Sequence, residues 1–300
     1  MHIPIRLALI PLLLVHFFSV ALGQLHAIRS QIDSLAQSVD GTLGVAIIDL
    51  DTGDTLSLHG DERFPMQSVF KFPLALATFD RIDKGMLHRS QIIRIYEREL
   101  VSETWSPIRE SHPATHLDLP LDSILYYTVS LSDNIGCDVL FRILGRTDTV
   151  NQYVRGLGLQ DIAIVATEAE MHRDWSVQYR NWSSPRAMAH LLRMFHTGTL
   201  LSDESTSRLW DIMASSPTGL RRLRAMLPNG STIAHKTGSS GADDEGFAAA
   251  TNDVGIIRFP NGRCAVVAVF LKDSRASEEA RDRVIALVGK VVGSALAPQH

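Results

Sequence analysis

The stretch "MQSVFKFPLALA", residues 66–77, poses a problem that the rest of the chain answers. Lys71 stands three residues after Ser68 in a run that is otherwise almost wholly apolar. That run predicts a buried helix, and a buried ammonium is costly unless it is paired or neutralised. On one reading Ser68 caps the helix and Lys71 snorkels to water. On the other, the two are chemical partners on one helix face. A serine hydroxyl is a weak nucleophile until a neighbour takes its proton, and a desolvated lysine can be that base because burial lowers its pKa. The start of the helix adds backbone N–H groups that can bind an oxyanion. Ser-x-x-Lys by itself does not decide between these readings.

Working outward, "LHAIRSQIDSLAQSV" (25–39) has apolar residues at helical spacing, and "TLGVAIIDLDTGDTLSLHG" (42–60) reads as two strands around a turn at Asp51–Asp54. From 69 to about 227 the pattern is mainly helical, as in "SSPRAMAHLLRMFHTG" (183–198), where Ser183 or Ser184 caps and Gly198 follows the end. Strands return at 232–238, 246–259 and 263–271, with a turn at Asn261-Gly262, and an apolar helix over 275–296 closes the chain. Two strands at the start and three at the end are most economically joined in one sheet. The predicted fold is therefore α/β (α+β): a five-stranded antiparallel sheet flanked by terminal helices, with an inserted all-helical lobe. The α/β lobe would comprise about 24–65 and 228–300, and the helical lobe about 66–227. Residues 160–183 show no sustained period and are read as an ordered loop packed by its own aromatic residues, Trp175, Tyr179 and Trp182.

Arg6 precedes the apolar run "LALIPLLLVHFFSVALG", and Ala21-Leu22-Gly23 offers small residues for cleavage. This predicts a secretory signal peptide over 1–23, with cleavage after Ala27 as the alternative, and an exported chain released to the periplasm. No later stretch is apolar enough to span a bilayer. A net charge of −4 gives no reason to expect nucleic acid or a membrane as partner, and a monomer is the default expectation. Cys137 and Cys264 could pair in an oxidising compartment but are read as buried free thiols. His112 and His116 are four apart, but Pro113 intervenes and no HExxH occurs, so no metal is expected.

Two more motifs resolve the opening question. "SDN" at 132–134 lies between two helical runs, and "KTG" at 236–238 follows a strand. The chain has 5 lysines against 24 arginines, yet two of the five, Lys71 and Lys236, sit in these motifs. Each motif is common alone; all three in this order form a specific set. Ser68-x-x-Lys71, Ser132-Asp133-Asn134 and Lys236-Thr237-Gly238 resemble the signature of the serine β-lactamase and penicillin-binding protein superfamily. The resemblance runs over about 25–297. Glu168, in the long loop, sits where class A β-lactamases carry the glutamate that activates the deacylating water, and "TEAEMHRDWSVQYRNW" resembles the loop of their PER-type, extended-spectrum branch. The loop departs from the commoner class A pattern. Ala169 stands for proline, His172 for the asparagine that helps hold the water, and Ala166 and Asn181 for an Arg–Asp clamp.

The resemblance implies a cofactor-free hydrolysis of cephalosporins and penicillins. Ser68 would attack the ring carbonyl, with the backbone N–H groups of Ser68 and Ser239 as oxyanion hole. Lys71, or Glu168 through a water, would take the proton. Ser132 would relay it to the leaving nitrogen beside Lys236, and Glu168 would activate water. Asn134 would bind the acylamide, and Lys236, Thr237 and Ser239 the substrate carboxylate. Arg222 would assist that carboxylate, unless it belongs to a solvated basic helix face with Arg221 and Arg224. Trp105 would wall the entrance or simply pack, and Gln67 belongs to the same PER-like pattern. The alternatives are a penicillin-binding DD-peptidase and a non-hydrolytic β-lactam sensor. Asp243, Asp244 and Glu245 follow the KTG strand, and such an acidic rim would favour cephalosporins bearing cationic groups.

Overall fold

The computed structural model describes residues 28–112 and 116–297; the signal-peptide assignment lies outside them. Five antiparallel strands form the main sheet: β1 (Thr42–Asp49), β2 (Thr55–Leu58), β3 (Thr232–Ser239), β4 (Ala248–Arg258) and β5 (Cys264–Ser274). Their spatial order is β2-β1-β5-β4-β3, so the sheet joins the two ends of the chain as the sequence predicts. The helices that matter here are α1 (28–37), α2 (Lys71–Asp83), α3 (Asn134–Leu144), α4 (Glu168–Arg173), α5 (Pro185–His196) and α6 (Glu278–Leu296).

Strand residues alternate between two cores. Leu43, Val45 and Ile47 of β1, with Val267, Val269 and Leu271 of β5, face Ile28 and Ile32 of α1 and Val284, Val288 and Val292 of α6. Ala46 and Ile48, with Val266, Ala268 and Phe270, face a larger core that includes α2 and Met188 and Leu192 of α5. A period of two therefore sends successive side chains into different apolar clusters, which is why these strands read as continuous apolar runs. Helix α2 is buried from Lys71 to Phe79, all round its circumference. Such a helix belongs inside a fold, and this one carries the Ser68–Lys71 pair to the middle of the molecule.

Three shorter features refine the sequence reading, two as corrections and one as a choice between stated alternatives. The stretch before 227 is not all helical: Ile92–Ile95 pairs with Leu117–Pro120 as a two-stranded ribbon. Ser184, not Ser183, caps α5, its Oγ accepting from Ala187 N at 3.2 Å. The 160–183 loop contains α4, a 3-10 segment Trp175–Arg180, and the paired strands Ile162–Ala163 and Trp182–Ser183. Two of its three aromatics do not pack it, since Trp175 and Tyr179 are exposed, while Trp182 is half-buried beneath the Arg63 guanidinium. Polar side chains hold it instead, because its backbone donors need acceptors.

Candidate active site

Ser68 lies in the 3-10 turn Gln67–Phe70 that leads into α2. In a 3-10 turn residues i and i+3 eclipse, so Lys71 stands directly beneath the serine. Lys71 Nζ donates to Ser68 Oγ at 3.1 Å, to the Ser132 carbonyl at 2.8 Å and to Asn134 Oδ1 at 2.6 Å. Lys71 is wholly buried, so the snorkelling reading is excluded. Its three bonds match the three protons of an ammonium. Glu168 Oε1 lies 2.9 Å from the same nitrogen, yet it is buried and receives no hydrogen bond. The two groups thus form a charge pair whose donor protons point elsewhere, leaving a carboxylate oxygen ready to accept from a third group.

Ser132 joins the two amines. Its φ of 61° is left-handed, a region that costs a non-glycine residue roughly 1–2 kcal/mol. That backbone turns its carbonyl toward Lys71 while its hydroxyl accepts from Lys236 Nζ at 2.9 Å. The strain is held by Asp133, which caps α3 through Gly136 N at 2.7 Å and accepts from Ile108 N and Ser106 Oγ. Lys236 is also wholly buried and donates to the Thr237 carbonyl at 3.0 Å. Burial, reinforced by the nearby Lys71 charge, holds the Lys236 amine well below the usual lysine range. Gln67, immediately before the nucleophile, has a left-handed φ of 47° and donates to Gln178 Oε1 in the loop.

Strand β3 passes close to the nucleophile because Gly238 has no side chain. A Cβ there would stand 2.4 Å from the Met66 carbonyl and 3.2 Å from Ser68 N. Asn252 on β4 donates to the carbonyls of Pro65 and Met66 and fixes that approach. Beyond it, Arg222 is buried, with Nε donating to Asp282 at 2.7 Å and Nη2 to Ser239 Oγ at 2.7 Å. The solvated-face reading of Arg222 is therefore wrong: the guanidinium reaches the rim of the cleft through Ser239. Thr218, which sequence reasoning passed over, shares a 2.8 Å contact with the Thr237 hydroxyl.

Loop anchors were the main omission. Asp138 on α3 accepts from Glu168 N at 2.8 Å and Ala169 N at 2.9 Å, so it sets where Glu168 begins α4. It is one turn beyond Asn134, and that i,i+4 spacing was the signal available in the sequence. Burial, with the Glu168 charge second, pushes the Asp138 carboxyl up to about 7. Where an Arg–Asp clamp was absent, Asn181 supplies a different tie. Its Oδ1 accepts from Val165 N and Ala166 N at 2.8 and 2.9 Å, and its Nδ2 donates to the Ala166 carbonyl at 2.8 Å.

These groups open on a cleft of about 820 Å³, lined among others by Ser68, Ser132, Glu168, Trp105, His172 and Arg222. Trp105 is exposed and pinned at the edge, its Nε1 donating to the Leu131 carbonyl at 3.0 Å. His172 lines the cleft but turns to Glu103, 3.8 Å away, and makes no hydrogen bond to Glu168 among the described residues. Asn134 donates to Thr104 Oγ1 at 2.8 Å. The acidic turn does not line this cleft. Asp243 caps its own turn through Glu245 N and Phe247 N, and Glu245 pairs with Arg275. Cys137 is buried and Cys264 half-buried, both as free thiols.

A hydroxyl flanked by one amine, a second hydroxyl flanked by another, and a carboxylate with an open oxygen define a serine acyl-transfer site. The family description "Beta-lactamase enzyme family" matches residues 27–296. The chain is 42% identical over 283 residues to β-lactamase VEB-1 of Pseudomonas aeruginosa, covering 93% of this chain and 94% of that one. It is 39% identical over 280 residues to the extended-spectrum β-lactamase PER-1 of the same organism, covering 93% and 91%. The crystal structure of a β-lactamase from Chitinophaga pinensis superposes with a TM-score of 0.87 at 47% identity, over 89% of this chain and 98% of that one. The extended-spectrum enzyme TLA-1 gives 0.88 at 39% identity, over 91% and 99%. The chain belongs to the β-lactamase enzyme family, in class A.

Proposed function

We propose that this chain hydrolyses the β-lactam ring of cephalosporins and penicillins through a covalent serine acyl-enzyme and thereby confers resistance. Ser68 Oγ attacks the ring carbonyl while its proton passes to Lys71, which has first handed a proton to Glu168, or to Glu168 through a water. The N–H groups of Ser68 and Ser239 hold the oxyanion. The ring C–N bond breaks as Ser132 gives its proton to the nitrogen and takes back the one that left Ser68, beside Lys236, which keeps its charge. Lys236, Thr237 and Ser239, steadied by Arg222, hold the substrate carboxylate, and Asn134 the acylamide. With its proton restored to Lys71 where it had received one, Glu168 then takes a proton from water, whose hydroxide attacks the ester, and that proton returns to Ser68 Oγ as it leaves. Trp105 and His172 border the entrance, and Gln67 ties the nucleophile to the loop.

The carrying observation is Glu168 Oε1, a buried carboxylate oxygen that accepts nothing from the protein while lying beside the Lys71–Ser68 pair. Buried acceptors are rarely left open without a use. A DD-peptidase or a β-lactam sensor forms the acyl-enzyme but has no need of this group. We read the chain further as an exported monomer working without a cofactor, released by cleavage of residues 1–23. Its α/β lobe (24–65 and 228–300) and helical lobe (66–227) meet at the site.

A chromogenic cephalosporin tests the reading. The expected result is sustained turnover, with Glu168→Ala accumulating a covalent adduct on Ser68 detectable by mass spectrometry. A single stoichiometric burst from the unmodified protein would establish the peptidase or sensor reading instead.

A further inference from the structure

Beside the cleft lies a second cavity of about 460 Å³, bounded by the end of β3, the segment after it and the start of α6. The two spaces share Arg222, Ser239 and Glu278 as walls, so they adjoin where the substrate carboxylate is held. Its charge is uneven. Of the three arginines that line it, Arg222 pairs with Asp282 and Arg275 with Glu245. Arg281 lines the cavity and is only 5% exposed, yet no carboxylate among the described residues lies within ion-pair distance of it. Its Nε donates to Thr251 Oγ1 at 2.9 Å and its Nη1 to the Ala276 carbonyl, both on the cavity wall. Nη2 makes no hydrogen bond among the described residues. The first turn of α6, capped by Ser277, adds its positive end on the same wall.

A buried cation is expensive unless something negative meets it. The acidic groups that act on it are already committed: Glu278 to Arg221, and Asp282 to Arg221 and Arg222. We infer that this cavity receives a second anionic group, a carboxylate or comparable acid, on the substituent that adjoins the ring carboxylate of a cephalosporin, with Arg281 as its partner. Arg222 and Ser239 hold the first carboxylate at the doorway, and a substituent extending past them enters the second space. The inference rests on the β-lactamase reading and adds a preference to it, opposite in sign to the one the acidic turn suggests.

Two cephalosporins identical except for a neutral or an anionic substituent at that position provide the test. Hydrolysis of the neutral compound checks the enzyme reading on its own. Arg281→Gln should raise KM about ten-fold for the anionic compound and leave the neutral one within two-fold, as expected for losing one charge-assisted contact. Equal changes for both compounds, or none for either, would overturn the inference. If Arg281→Gln does not fold, the unmodified enzyme decides by competition. Inorganic phosphate should then raise KM more for the anionic than for the neutral compound. Equal inhibition of both, even with thermal stabilisation by phosphate, would mean that the cavity takes free oxyanions and not the substrate, and the inference falls.

Discussion

The Glu168 carboxylate and the Lys71 ammonium lie 2.9 Å apart without a hydrogen bond between them. Lys71 spends its protons on Ser68, Ser132 and Asn134, and so couples the nucleophile to the helical side of the site. Glu168 keeps an oxygen open. In the proposed reaction this lets the amine serve acylation while the adjoining carboxylate serves the water step.

Removing that amine should stop the first step. Lys71→Ala is expected to slow acylation about 10²–10⁴-fold, the usual worth of a positioned proton acceptor. Lys71→Arg should not rescue it, because a guanidinium does not deprotonate at working pH. Stopped-flow acylation under single-turnover conditions measures this, and a rate within ten-fold of the parent would place the proton acceptor elsewhere.

Lys236 predicts an alkaline limit. Its amine is held below the usual lysine range by burial and by Lys71, so it is charged below its pKa and neutral above it. Rising pH removes the charge that faces the substrate carboxylate, and kcat/KM should fall at a pH lower than an ordinary lysine would give. Lys236→Arg should move the falling limb to higher pH. A pH–rate profile from 6 to about 10.5 reads both.

Asp138 predicts a pH dependence of stability with a defined sign. Its carboxyl is raised from 3.8 to about 7, so the folded state keeps a proton that the unfolded state gives up. The associated stability is complete below pH 3.8 and is lost as pH rises to about 7. Asp138→Asn should flatten the fall in Tm across that window. It should also cost about 1–3 kcal/mol, because an amide cannot accept from both Glu168 N and Ala169 N with its NH2 end. Thermal melts at several pH values check both effects.

Asn181 carries the loop's other tie. Asn181→Ala removes three bonds to buried backbone groups and should destabilise the fold by about 1–3 kcal/mol. The larger effect should fall on deacylation, since the loop carries Glu168. Burst kinetics separate the two steps; an unchanged deacylation rate would show that Asp138 alone holds Glu168 in place.

Gly238 is a test of close approach. Gly238→Ala puts a carbon 2.4 Å from a backbone carbonyl that cannot rotate away, so β3 must move off the nucleophile. Overpacking of this kind costs about 1–3 kcal/mol, and acylation should drop at least ten-fold. Urea melts and acylation rates together report it.

The residue types and their local spacing determined much of this protein. Apolar runs at both ends specified the strands of one sheet, Ser68, Lys71, Ser132, Asn134 and Lys236 were legible as three short motifs, and Glu168 was legible only through the resemblance of its loop to the family's. What the tertiary structure alone decided is the set of contacts made by single polar side chains across long sequence distances. Asp138 and Asn181 tie down backbone amides of the loop, Arg222 is buried against Asp282 where its basic neighbours suggested solvent, and Trp175 and Tyr179 stay exposed. Such contacts leave no periodic trace, because a buried N–H or C=O accepts any suitably placed partner and only the folded chain sets which one is near.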